Sequence, residues 1–513
     1  MGSIRCAARL QTLVCAALLG LTGCGDDADA PADGALVVVL PREVQEIDPR
    51  FSGDAYGHKV SRLLFASLVT IEPHTLEPVV DLAERVEVES PTRYRVHLRR
   101  GLRFGDGSAL DAEDVIATFR SVVDPQLGSR YASTYKRIVS MHAPDRHTVV
   151  FDLEGPHATF LTDLELPVLR AEDAGHAIAR PGGPPPVSSG PYRLLSREAG
   201  RIELGPNPHW HGGRPLYPRV RMVVIRDDNT RALRMLAGAG DLALNAIPPL
   251  LVPLFEQEEG FRVRSAPGVG TTYMGVNLDA DALADVRVRR ALAHAIDREA
   301  IVRAKLGGRA RLARSWIVPG HWAYDPQTPS YDYDPARARA LLEQAGLLPD
   351  EEGVRLRLTL RCGSDRFRLS IVRAIAAMLE RVGVVVDVRP TETATLIADL
   401  GKGQFELTML QVPEVVEPHV LSWFFGSDRI PSAEREGANR WRLRSDALDA
   451  ALERGRLTTD RAERVAAYRE AQHILARRLP VIPLWHEDVV AVEGPRARDF
   501  DVPRLGRFGT LAR

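Results

Sequence analysis

Residues Gly268 to Val302 read G-V-G-T-T-Y-M-G-V-N-L and then, past a short loop, D-V-R-V-R-R-A-L-A-H-A-I-D-R-E-A-I-V. Thr272, Met274, Val276 and Leu278 alternate with Tyr273, Gly275 and Asn277, the period of a strand whose two faces meet different surroundings. Asp285 is placed to accept a backbone N–H of a following first turn, and Val288, Leu292, Ala295 and Ile296 then share one helix face. A strand running into a helix is the unit of an α/β protein, and on spacing alone an ordinary core pair explains it.

Working outward, the same logic repeats. Leu36 to Leu40 is a continuous apolar run suited to a buried strand, and Arg50 to His58 a loop before a helix carrying Leu63, Leu64 and Leu68. Tyr94, Val96 and Leu98 alternate with Arg93, Arg95, His97 and Arg99, so the basic run reads as the wet face of a strand. Asp106-Gly107 is a turn signal, and Asp111 with Asp114 suits a helix start above Val115, Phe119 and Val122. Val149, Phe151 and Leu153 alternate as another strand, Pro181 to Pro186 cannot continue a helix, and strands follow at Ile202 to Leu204 and Val220 to Ile225. Leu356 to Leu360, the helix face of Ile371, Ile375, Met378, Leu379 and Val382, and Val384 to Val388 form a βαβ unit, extended by a helix and the strand Phe405, Leu407, Met409. Asp460 and Glu463 begin a helix that Pro480 stops.

With 513 residues, 45% apolar and 26% charged, the chain has the composition of a globular protein with more than one core. Its first residues differ. Arg5 and Arg9 precede a short apolar run, Leu10 to Leu21, suited to a signal peptide and too short for a stable span, so 1–23 are expected to be removed. The run ends in L-T-G-C, a small-residue site before Cys24 that looks like a bacterial lipobox. Cys24 is then expected to carry lipid, and 24–35 to be a tether to a membrane surface. The mature chain keeps Cys24 and Cys362, which leaves no intramolecular disulfide if Cys24 is acylated. Losing Arg5 and Arg9 takes the formal charge from -1 to -3, which argues against a nucleic-acid partner.

Several phrases in order carry a resemblance: Glu72 to Glu84, His97 to Val115, S-G-P-Y-R-L at Ser189 to Leu194, N-P-H-W-H-G-G-R-P at Asn207 to Pro215, Gly268 to Val302, Tyr333 to Gly346 and Tyr468 to His486. The chain resembles the ABC-transporter solute-binding proteins of family 5, the oligopeptide, dipeptide and nickel binding group. The resemblance implies an α/β, two-lobed periplasmic-binding-protein-like fold (type II, cluster C) with an inserted subdomain and a two-crossing hinge. It places lobe I at 36–70, 187–266 and 482–513, the insertion at 71–186 and lobe II at 267–481, with crossings near Ala266 to Gly270 and Pro480 to Pro483. It also implies a monomer that delivers a peptide or peptide-like solute to ABC permease subunits, without cofactor or metal. His209 and His211 lack a further ligand at a recognisable spacing.

In peptide-binding relatives an aspartate in D-Y-x-D-P holds the ligand's ammonium. Here the stretch is E-V-V-E-P, Glu414 to Pro418, so Glu414 stands for the aspartate and Val415 for the aromatic. The longer stem moves the carboxylate and argues against an ordinary dipeptide. Gly270, Thr272 and Tyr273 are expected to pair with ligand backbone, Asp54 and Tyr56 to face the cleft, and Trp423 to supply an apolar wall. Two other readings compete: a ligand-presenting surface receptor for a sensor, and a hydrolase. The chain lacks H-E-x-x-H, G-x-S-x-G, the phosphate-binding glycine loop and C-x-x-C, which disfavours the hydrolase.

Overall fold

The computed structural model describes residues 34–179, 183–432, 434–435 and 437–513. The expected signal peptide, Cys24 and most of the expected tether lie outside the described residues, as do residues 180–182 at the Pro- and Gly-rich connector.

The strand Thr271–Val276 is the middle of lobe II. It lies between Val481–Glu487 and Leu407–Val412, antiparallel to both, in a six-stranded sheet completed by Ala310–Leu312, Leu356–Gly363 and Val384–Thr391. Its alternation sorts residues between two cores: Met274 and Val276 pack with the helix residues Val288 and Leu292 and with Ile296 just past the helix end, while Tyr273 joins Trp316, Trp441 and Phe425 on the other face. Gly275 is required by this second face, because a Cβ there would lie 2.1 Å from Trp441 Cζ3. The helix after the strand is capped as its sequence suggests: the Asp285 carboxylate accepts from the Arg287 N–H. It ends at Ala295, and Asp297 caps a second helix, Arg298–Leu306. The βαβ unit is present, with Leu356–Gly363 parallel to Val384–Thr391 across the helix Arg366–Glu380.

Lobe I is built on a seven-stranded sheet in the order Arg262–Ala266, Val489–Glu493, Leu242–Leu244, Leu36–Leu40, Val220–Val224, Arg201–Pro206, Tyr192–Glu198. Leu36–Leu40 is buried along its whole length, as a central strand covered on both faces must be. The C-terminal segment closes this core: Phe508, Leu511 and Ala512 pack into it, and Tyr192 Oη donates to Leu511 O at 2.9 Å.

A four-stranded antiparallel sheet, Ala83–Ser90, Arg93–Leu98, Thr148–Leu153 and Ile138–Asp145, has its own core with the helix Ala112–Val123. That helix starts with a reciprocal capping box between Asp111 and Asp114. The core of this third body already includes Ala66, Leu68 and Val69, so it begins several residues before the expected 71.

Two links join the sheets. One is Pro267 to Gly270. The other is not at Pro480 to Pro483, because Val481–Glu487 pairs with Thr271–Val276 and Ala310–Leu312 inside lobe II; the chain crosses at Asp488, directly before Val489–Glu493. The prolines mislead here: Pro483 sits within a strand that bulges against Thr272 and Tyr273, and the ladder tolerates its missing N–H at that irregularity.

Candidate functional site

Ala55–Leu64 is the lobe I helix that meets lobe II. Its first turn is held by Asp54, whose Oδ1 accepts from the N–H groups of Tyr56 and Gly57 at 3.1 and 2.8 Å. Tyr56, Val60, Leu63 and Leu64 turn into the lobe I core, which leaves His58, Lys59 and Arg62, three and four positions apart, on the other side. Onto that side come two further pieces of chain: Glu165 from the inserted subdomain and Arg507 from the C-terminal segment.

These groups form one ladder of charge. Arg62 Nη2 donates to Glu165 Oε2 at 2.9 Å, and Arg507 Nη1 donates to Glu165 Oε1 at 2.5 Å. The other edge of Arg507 grips Glu414 of lobe II in a fork, Nε to Oε1 at 3.1 Å and Nη2 to Oε2 at 2.7 Å. Burial alone would push both carboxyls up, but the guanidinium charges outweigh it. Arg507 and Arg62 bring Glu165 down to about 2, and Arg507 holds Glu414 below the usual carboxylate range. For Arg507, burial is overcome by its two carboxylates and the guanidinium is held charged. His58 is pushed the other way, to about 4, by burial and by Arg62. Tyr131 Oη donates to Ser52 O, so the 3.0 Å contact between that hydroxyl and His58 is a ring N–H donating to the phenol oxygen.

The Glu414–Arg507 fork is one of several contacts by which the lobes meet. Ala158 N–H donates to Arg456 O at 3.0 Å and Arg456 Nη1 to Pro156 O at 3.0 Å, while Arg461 pairs with Glu77. Arg504 reaches three segments, donating to Pro267 O, His74 O and Pro319 O. A small apolar cluster of Ile71, Leu76, Val269, Val318 and Leu505 seals the same seam. The bodies are shut against one another.

The structure sorts the sequence candidates. Glu414 is at the seam, but its carboxylate is committed to Arg507. Asp54 and Tyr56 flank the same helix face, with Asp54 acting as a cap and Tyr56 buried in lobe I. Gly270 backs onto the Glu414 loop: a Cβ there would lie 3.0 Å from Pro413 O and 3.2 Å from Val412 O. Thr272 and Tyr273 are corrected. Their strand has neighbours on both edges, so its backbone groups are spent in the sheet; the Thr272 hydroxyl donates to Glu487 Oε1 at 2.8 Å, and the Tyr273 ring packs 4.6 Å from Trp316, centroid to centroid. Trp423 is 38% exposed, with the Arg429 guanidinium 5.5 Å above its ring. His211 pairs with Asp81 at 3.0 Å, and among the described residues no group of three or more His, Cys, Asp or Glu side chains is placed to hold a metal.

Lys59, Arg62, Glu165 and Arg507 were not reached from the sequence. No motif marks them, and they come together from three distant stretches. One compositional signal existed: lysine occurs at only four positions, 59, 136, 305 and 402, in a chain otherwise supplied with arginine.

Comparison with known proteins agrees with this architecture. The model of the bacterial extracellular solute-binding proteins, family 5, matches residues 77–429. Di/tripeptide-binding protein 2 of Pseudomonas aeruginosa is 27% identical over 464 residues, covering 85% of each chain. Among solved structures, NikA from Brucella suis in complex with Fe(III)-EDTA superposes with a TM-score of 0.84 at 22% identity, over 93% of this chain and 99% of that one. The oligopeptide-binding protein AppA from Bacillus subtilis, in complex with a nonapeptide, does so with a TM-score of 0.78 at 21% identity, over 93% and 98%. These are two-lobed binding proteins and not enzymes, and they work outside the cytoplasm. Among the described residues no helix is long and apolar enough to cross a membrane. The chain belongs to family 5 of the bacterial extracellular solute-binding proteins.

Proposed function

We propose that this chain is the solute receptor of an ABC importer, tethered by lipid on Cys24, which closes its lobes around a peptide or peptide-like solute and delivers it to the permease. The observation that carries this reading is the seam: two sheets joined by two short links, meeting through polar groups drawn from all three bodies. Short paired links permit a hinge, and a solute that touches both lobes only when they are shut shifts the population toward that form by its differential affinity. Peptide as the solute class rests on relatives such as the di/tripeptide-binding protein and AppA.

Calorimetry and small-angle scattering with a pool of di- and tripeptides test the binding step. Saturable heat with a fall in the radius of gyration is expected, and no heat from any member would remove peptides from the reading. Loss of peptide uptake on deletion, restored by the wild-type gene but not by Cys24→Ala, tests delivery and the tether.

A further inference from the structure

On the outward face of the Ala55–Leu64 helix, one lysine stands outside the charge ladder. Arg62 and Arg507 share Glu165, and Arg507 also takes Glu414, so two guanidinium groups and two carboxylates account for each other. Lys59 is left over. Its ammonium lies 5.0 Å from the centroid of Tyr56 and 5.5 Å from that of Phe508, between two aromatic faces, and no carboxylate among the described residues reaches it at ion-pair distance. One turn along the same face, Arg62 Nε is buried and also lacks a hydrogen-bond partner. This face therefore carries one positive charge and at least one N–H donor in surplus.

The surplus has a cost that the protein does not relieve internally. Burial pulls the Lys59 ammonium down to about 8; Glu414 acts against this from lobe II, and Arg507 adds to it from the C-terminal segment. An aromatic face stabilises a cation but accepts none of its N–H bonds as a carboxylate would. Lys136 and Lys402, by contrast, are exposed.

We propose that Lys59 receives an anionic group of the solute, a carboxylate in a peptide-like ligand, so that the cleft selects by the acid end of its guest. This rests on the solute-receptor reading above and sharpens it. The polarity is opposite to the one suggested by Glu414: the side chain expected to hold a ligand ammonium is neutralised by Arg507, and the group left free is a cation. A guest is then held by its carboxylate at the middle of the Ala55–Leu64 helix, where the Lys59 ammonium lies between the Tyr56 and Phe508 rings. Its amino end need not be charged.

The test uses the purified mature chain and a pool of di- and tripeptides of Ala, Leu, Phe and Ser, so that the C-terminus is the only acid. Each peptide is prepared as the free acid, the C-terminal amide and the N-acetylated acid. Calorimetry at pH 7 is expected to show the amides at least tenfold weaker than the acids, with N-acetylation changing affinity less than amidation does. Lys59→Met, with its fold checked by thermal melting, is expected to lose the preference, and Lys59→Arg to keep it. The wild-type preference should fade as the pH rises past the Lys59 titration, whereas that of Lys59→Arg should not; a purely structural lysine would give the two proteins the same profile. Equal binding of acids and amides, or a preference that survives Lys59→Met, overturns the proposal while leaving the receptor reading in place. Failure of every form to bind overturns the proposal and removes peptides from the receptor reading.

Discussion

Two glutamates three residues apart on the loop after Leu407–Val412 have opposite electrostatic fates. Glu414 faces lobe I and is gripped at both oxygens by Arg507, so it stays ionised despite burial. Glu417 faces its own lobe. It accepts from Arg464 Nη2 at 2.6 Å and from the His419 N–H, both on Oε1, and burial raises it to about 7 in spite of Arg464. Arg464 is divided between this contact, the Gly455 carbonyl and the faces of Trp322 and Tyr468. Burial is common to both carboxyls; what separates them is whether a guanidinium is devoted to the group. The loop thus presents an anion to the seam between lobes and a titrating group to the interior.

The largest expected effect comes from removing the shared cation. Arg507→Met leaves Glu414 and Glu165 facing each other without it, and the loss of one member of a buried ionic cluster costs about 3–5 kcal/mol. Urea unfolding should show that loss at pH 7, and scattering a more open average shape. The further changes Glu414→Gln and Glu165→Gln should restore much of the stability. An unchanged midpoint in Arg507→Met would mean that the ladder contributes nothing to holding the lobes together.

The next effect sets the two glutamates against each other across pH. The folded-state pKa of Glu417 is raised above its ordinary value, so its favourable contribution is complete below about 4.5 and is lost as the pH rises through about 7. The difference amounts to on the order of 3 kcal/mol. Glu417→Gln should therefore flatten that part of the stability profile and gain on wild type at pH 8. For Glu414 the sign reverses, since its folded-state pKa is lowered: its contribution is present above the ordinary carboxylate pKa and lost on acidification. Glu414→Gln should cost about 1.5–3 kcal/mol at pH 7, toward the lower end because the side chain remains 32% exposed. Chemical denaturation of both variants from pH 4 to pH 8 decides this, and parallel profiles would contradict the contrast.

The smallest expected effect concerns the helix that carries Lys59. Asp54→Ala removes the cap and should cost about 1 kcal/mol of stability. If Asp54 is a cap and not a ligand contact, calorimetry with the free-acid peptides should show affinity within a few fold of wild type. A loss of a hundredfold or more would return Asp54 to the list of contacts.

Much of the secondary structure was legible because its causes are local. Asp111 with Asp114, Asp285, and Asp460 each sit where a carboxylate meets the free N–H groups of a first turn, and each does so in the fold. The alternation through Thr271–Val276 correctly announced two different surroundings. It did not announce that both are interior, since period two reports that the faces differ and says nothing of which is wet. The expectation that Thr272 and Tyr273 pair with a ligand failed for that reason: an edge strand and a central strand have the same local pattern. Pro480 marked a true helix end, yet the crossing lies several residues later, because a strand can pass through Pro483 where its partner bulges.

By itself, the sequence determined the elements, the order of the α/β units and the family, since periodicity, caps and phrase order are written along one dimension. Only the tertiary structure decided which charges are spent and which is spare. Glu414 and Arg507 are 93 positions apart, and Glu165 and Arg507 are 342. The state of a buried charge depends on every charge within a few ångströms, whatever its place in the chain, so the neutralised Glu414 and the unpaired Lys59 become visible only once the three bodies have closed on one another.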